Sequence, residues 1–150
     1  MSNPDNPTST ASSVGANKEL YRRWFEEVVS GGDLALADEL LGPGYRLHFP
    51  GMPEPLDREA HKALVTMFRT AFPDWVETVD DVIAEGDKVV IRVTGRGTHE
   101  GDFQGIPPTG RQVTATGVGI GRIEDGRIAE AWAAYDALGL MQQLGAVPTS

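Results

Sequence analysis

The chain has 150 residues, of which 40% are apolar, enough for one domain with a core of its own. Its net charge of -9, from 13 basic and 22 acidic residues, argues against nucleic acid and anionic membrane as partners. Cysteine is absent, which rules out disulfides, thiolate nucleophiles and cysteine zinc sites. No apolar run approaches the roughly 18 residues of a membrane span, and the opening residues lack the basic start and apolar stretch of a signal peptide, so a cytoplasmic protein is expected.

Residues 1–16 are rich in Ser, Thr, Pro and Asn and read as a disordered tail, leaving 17–147 as the domain. A helix is predicted from Lys18 to Ser30, with Leu20, Tyr21, Trp24, Phe25, Val28 and Val29 on one broad stripe, and Gly31 and Gly32 stop it. Asp33 is placed to cap a short helix, Leu34 to Leu41. A strand Tyr45 to Phe49 follows, then a loop Pro50 to Pro55, then a helix Arg58 to Phe72 capped by Asp57 and ended by Pro73. Four strands are expected next: Val76 to Glu85, Lys88 to His99, Gln112 to Ile123 and Arg127 to Tyr135. Glu85-Gly86-Asp87 and Glu124-Asp125-Gly126 read as hairpin turns, and a last helical piece covers Leu138 to Leu144. Helices followed by a meander of long strands indicate an α+β domain, a curved antiparallel sheet covered by the N-terminal helices. Incomplete covering of the concave face would leave an internal pocket for a small molecule; complete covering would leave none.

The stretch GTHEGDFQGIPPTGRQVTATGVGIGRIEDGRIAEAW, Gly97 to Trp132, resembles the SnoaL-like polyketide cyclase, or ester cyclase, family. HFPG at His48 to Gly51, the AFPDW that ends the third helix, and YDALGLMQQLG at Tyr135 to Gly145 extend the resemblance over about residues 18 to 147. It implies a cone-shaped fold of the nuclear-transport-factor-2-like type, commonly a homodimer through the sheet. It also implies intramolecular aldol ring closure with no metal and no cofactor, driven by an Asp on the strand before the RIEDG hairpin. Here that position is Gly119, and Ala131 stands where members often carry His.

Of the three histidines, His48 alternates with apolar neighbours on a short strand and is the foremost proton-transfer candidate, the other reading being a solvated sheet face. His99, at a strand end beside Pro107 and Pro108, could orient it or could hold the loop by hydrogen bonds. His61 is expected at a helix edge with no role. Asp136 could pair with a histidine or cap the terminal helix. Arg92 could bind an enolate or carboxylate oxygen or could face solvent. Glu77, Glu100 and Glu130 have no evident partners, and Glu130 lies on the parity of Ile128 and Trp132, either as a buried acid or in an ion pair. Tyr21, Trp24, Phe25, Phe68, Trp75 and Trp132 are candidates to line the pocket. Gly117, Gly119 and Gly121 form a small-residue face that would widen the pocket or admit a closely packed helix.

No zinc-binding H-E-x-x-H, phosphate loop or G-x-S-x-G elbow occurs. Three functions compete. The first is a cofactor-free cyclase or isomerase of a hydrophobic polyketide-like intermediate, working partly by folding its substrate. The second is an epoxide hydrolase of the limonene-epoxide-hydrolase-like type, which wants an Asp-Arg-Asp set around Arg92 but finds Thr94 two residues on. The third is a small-molecule binding protein without chemistry.

Overall fold

The computed structural model describes residues 7–148, with side chains from Ser13 onward. Helix α1, Pro7–Arg23, starts well before the expected Lys18 and enters the stretch read as a tail; residues 1–6 of that tail lie outside the described residues. Proline is suited to a first helical position, where its missing N–H leaves no bond unmade. Once packing of Tyr21 and its neighbours fixes the helix, extension backwards needs only local hydrogen bonds.

The helix continues as a π-helix, Trp24–Val29, closed by Ser30 N–H donating to the Phe25 carbonyl at 3.0 Å. The sequence pattern suggested plain α-helix here. Trp24, Phe25 and Val28 are buried in this segment. Helix α2, Leu34–Leu40, is capped by Asp33, whose carboxylate accepts from Leu36 N–H at 3.1 Å. Helix α3, Arg58–Ala71, is capped in the same way by Asp57 at Ala60 N–H, 2.8 Å.

Strands β1 (Leu41–His48), β2 (Val76–Glu85), β3 (Lys88–Thr98), β4 (Gln112–Glu124) and β5 (Arg127–Tyr135) form one sheet in the order β1-β5-β4-β3-β2. The meander β2 to β5 is antiparallel as expected. The sheet is mixed, however, because β1 pairs parallel to β5, with Arg46 opposite Glu130 and His48 opposite Trp132. After β1 the chain crosses through α3 to the far edge of the sheet and returns strand by strand, so β5 arrives running the same way as β1. β1 also begins earlier than predicted, at Leu41, and its register breaks between Leu41 and Arg46 across Gly42-Pro43-Gly44. Pro43 has no N–H for a ladder, and such a residue is accommodated at an irregularity. Helix α4, Ala137–Gln143, closes the described chain.

The sheet is curved and unclosed, and α1, the π-helix and α3 cover its inner face. The main core joins Tyr21, Trp24, Val28, Leu40, Tyr45, Leu47, Ile91 and Ile128. A second cluster of Phe72, Trp75, Phe103, Val113 and Leu140 packs at the other end of β3 and β4.

The glycines of β4 decide how close α1 comes. A side-chain carbon at Gly119 would lie 2.5 Å from the Tyr21 hydroxyl and 3.0 Å from Phe25, and one at Gly121 would lie 3.1 Å from the Tyr21 ring. The small-residue face is therefore divided: the Tyr21 and Phe25 rings fill it at Gly119 and Gly121, while Gly117 lines the cavity and Gly119 does not. Gly119→Ala should lower the unfolding free energy by about 1–3 kcal/mol through overpacking. Tyr21→Phe in the same background removes the tightest contact, and urea unfolding should return part of the loss. Strict additivity of the two substitutions would show that the rings do not press on this strand.

Candidate functional site

Between the helices and the inner face of the sheet lies a hollow of about 850 Å³ of atom-free space, its mouth included. Tyr21, Trp24, Phe25 and Val29 wall it from the first helical segment, His61, Leu64, Val65, Phe68 and Arg69 from α3, and Leu47, Phe49, Val93, Ala131 and Tyr135 from the strands. Trp75 and Glu77 face it at the start of β2. Trp75 lies flat over β3, in the space that side chains at Gly95 and Gly97 would fill. Phe68 meets Trp75, Phe103 and Tyr135 with ring centroids 5.4–5.6 Å apart, which holds this end of the hollow rigid.

Few polar atoms reach the hollow, and most are already engaged. Arg69 Nη1 donates to the carbonyls of Val29, Ser30 and Trp75 at 3.1, 2.7 and 3.2 Å, which ties the end of the π-helix to β2. His61 Nδ1 lies 2.9 Å from the Tyr45 hydroxyl, and its ring packs between Trp24 and Tyr45. Burial lowers the pKa of His61 to about 4 and pushes the Tyr45 hydroxyl well above its ordinary range, so both are neutral near pH 7.

Glu77 is different. Its Oε1 accepts from Trp75 Nε1–H at 3.3 Å, while Oε2 is buried and has no hydrogen-bond partner. Ser30 holds the backbone, its hydroxyl accepting from Glu77 N–H at 2.8 Å. Burial raises the pKa of the carboxyl to about 7, with the Trp75 hydrogen bond opposing. The Tyr21 hydroxyl is raised too, by its own burial first and by the Glu77 charge second.

Of the residues singled out in the sequence, Tyr21, Trp24, Phe25, Phe68 and Trp75 line the hollow. The four proposed for proton transfer or charge stabilisation do not. His48 sits on the outer face of the sheet, its Nε2 2.7 Å from Glu130 Oε2 and its ring stacked on Trp132 at 5.3 Å. Trp132 is accordingly an outer-face residue as well. Glu130 also meets Arg122 Nε at 3.3 Å, so it is the ion-pair member of the two alternatives. The His48 hydrogen bond, with help from Arg122, keeps its pKa below the ordinary carboxylate value.

Arg92 is exposed on the same outer face, bound to Asp81 at 2.7 and 2.9 Å with Asp80 at 3.6 Å. An Asp-Arg-Asp trio does exist, then, but in solvent, where it cannot activate a water against a substrate held in the hollow. His99 is buried away from the hollow and holds the proline-containing loop, its Nδ1 accepting from Thr109 N–H at 3.2 Å. Asp136 caps α4, accepting from Gly139 N–H at 2.9 Å.

His61, given no role from sequence, is buried in the wall instead of lying at an exposed helix edge. The signal was available: His61, Leu64, Val65 and Phe68 stand at i, i+3, i+4 and i+7. Glu77 could be found by parity, since it shares the half-buried face of β2 with Val79.

Among the described residues no group of three or more His, Asp or Glu side chains could hold a metal ion, and no helix is long and apolar enough to cross a membrane.

The wall of the hollow is largely apolar and carries one carboxyl, Glu77, a composition typical of small-molecule sites. Residues 19–144 match the SnoaL-like polyketide cyclase family, and the chain belongs to that family. It is 32% identical over 132 residues to the aklanonic acid methyl ester cyclase DnrD of Streptomyces peucetius, covering 85% of this chain and 89% of that protein. To the aklanonic acid methyl ester cyclase DauD of Streptomyces sp. (strain C5) it is 33% identical, covering 85% and 80%. Among solved structures, IdmH of Streptomyces antibioticus superposes with a TM-score of 0.78 at 35% identity, over 86% of this chain and 98% of that one. TsrD of Streptomyces laurentii superposes with a TM-score of 0.78 at 33% identity, over 89% and 97%. The protein is thus an enzyme of the cyclase kind.

Two of the shifted groups in the wall, Glu77 and His61, act on stability with opposite signs. Glu77 holds its proton more tightly folded than unfolded, so its contribution is full below its ordinary 4.5 and is lost as pH rises to about 7. His61 holds its proton less tightly folded, so its contribution is full above its ordinary 6.5 and is lost as pH falls to about 4. In wild type the two slopes largely cancel between those limits. Glu77→Gln leaves the His61 slope alone, so the unfolding free energy of the variant should climb with pH across the acid range by up to about 3 kcal/mol. Urea titrations at several pH values measure this, and a variant curve parallel to wild type would mean that Glu77 ionises normally.

Proposed function

We propose that this enzyme closes a ring in a hydrophobic, carbonyl-rich polyketide intermediate, without a cofactor, inside the hollow. The observation that carries the reading is the aromatic wall of Tyr21, Trp24, Phe25, Phe68 and Trp75 around the hollow. A flexible chain bound there is forced to fold back on itself, and holding two reacting carbons in one geometry can lower a barrier by several kcal/mol. The names of DnrD and DauD point to the substrate class, a polyketide methyl ester. We take residues 17–147 as the functional unit. Ring closure conserves mass, so incubation with aklanonic acid methyl ester should give an isomer of unchanged mass at a rate above buffer, followed by liquid chromatography and mass spectrometry. The absence of both conversion of that ester and quenching of tryptophan fluorescence by it would sink this reading.

We also propose that two copies pair through the outer face of the sheet. Val118 is 44% exposed at its centre, with Ile120 and Trp132 beside it, and charged pairs around Arg92 and Glu130 flank this strip. An apolar strip with a charged rim is the anatomy of a self-complementary contact. Light scattering should give twice the chain mass for wild type and the monomer mass for Val118→Asp. A wild type that stays monomeric at high concentration would overturn the pairing.

A further inference from the structure

We infer that Glu77 is the group that moves the proton in this ring closure, acting from β2 in place of the carboxylate that the family carries at the position of Gly119. The inference rests on the cyclase reading above for its reaction and on geometry for its residue.

The usual position is physically closed. A side-chain carbon at Gly119 would sit 2.5 Å from the Tyr21 hydroxyl and 3.0 Å from Phe25, so an aspartate there would have to displace both rings. Glu77 faces the same hollow and is fixed at both ends, by Ser30 on its backbone and by Trp75 on Oε1. Its Oε2 has no partner. A carboxylate kept for structure fills its lone pairs with donors, because a buried oxygen left empty costs stability. Glu77 lines the cavity, and an unpartnered carboxylate oxygen on its wall is suited to receive a proton from a bound molecule.

The other titratable groups facing the hollow do not compete for this role. Tyr21 from α1 is raised and stays protonated, Tyr45 from β1 and His61 from α3 are bonded to each other, and Arg69 from α3 is held by three carbonyls. Tyr135 from β5 is raised by burial. Glu77, shifted toward neutrality by its own burial, can therefore take and return a proton at physiological pH.

The step balances without a co-reactant. The Glu77 carboxylate takes a proton from the carbon between two carbonyls, and that carbon's electron pair forms a C–C bond to a second carbonyl carbon in the same molecule. The π pair of that carbonyl moves to its oxygen, which takes the proton back from the Glu77 carboxyl. Nothing is oxidised or reduced, and the product is an isomer.

Two substrates test Glu77 separately from the cyclase reading. With the polyketide ester of the preceding test, Glu77→Gln should lower kcat at least 100-fold with KM little changed, while Glu77→Asp keeps part of the rate. The wild-type rate should rise through about pH 7, a limb that Glu77→Gln lacks. The second substrate is 5-nitrobenzisoxazole, whose ring opens when any well-placed base removes its carbon-bound proton. Wild type should accelerate this opening and Glu77→Gln should lose at least tenfold, with circular dichroism confirming that the variant is folded. A base-dependent opening without turnover of the ester keeps Glu77 as the base and removes the cyclase reading. Turnover of the ester that Glu77→Gln retains within twofold overturns the assignment, as does the absence of both reactions in wild type.

Discussion

How closely the first helix can approach the sheet is set at two backbone positions. Gly119 and Gly121 carry no side chains, so Tyr21 and Phe25 come down onto β4 until ring meets backbone. That contact fixes the depth of α1, and the depth of α1 fixes one end of the hollow. The π-helical turn that follows carries Trp24, Phe25 and Val28 buried. Arg69 then pins the end of this segment to β2 through three carbonyls. The position of the site and the rigidity of its wall both follow from one close approach.

The same approach governs the electrostatics. Tyr21, Tyr45, His61 and Glu77 are each shifted, chiefly by burial, toward the uncharged form. The interior thus carries little fixed charge from these groups, while charge gathers on the outer face in the Arg92 and Glu130 pairs.

Much of the fold was legible in the chain. Strand alternation, the hairpin turns and the helix caps Asp33 and Asp57 all read directly, because each rests on local chemistry. The parallel partner of β1 did not, since a parallel pairing leaves no turn between its strands to betray it. The aromatic wall was legible from periodicity. The chemistry was misplaced because alternation separates the two faces of β1 without saying which faces inward. His48 and Arg92, each open to pocket or solvent from the sequence, and Trp132, a pocket candidate, all lie on the outer face. Asp136 and His99 fell to the structural reading of each, cap and loop anchor. Glu77 was noticed, but its importance depends on an empty oxygen and on a packed glycine, and neither is a property of a string of letters.

The parallel pairing of β1 with β5 also bears on how the chain assembles. The two strands are separated in sequence by α3 and three further strands, so β1 cannot take its place in the sheet until the last hairpin exists. Contacts of such long sequence separation form late and slowly, because the loop must close before any hydrogen bond rewards it. The first half of the chain, which supplies most of the aromatic wall, must therefore wait for the second. Truncation before β5 would leave β1 without the strand it pairs with and β4 with an open edge, and an exposed edge on a half-made sheet is a route to aggregation.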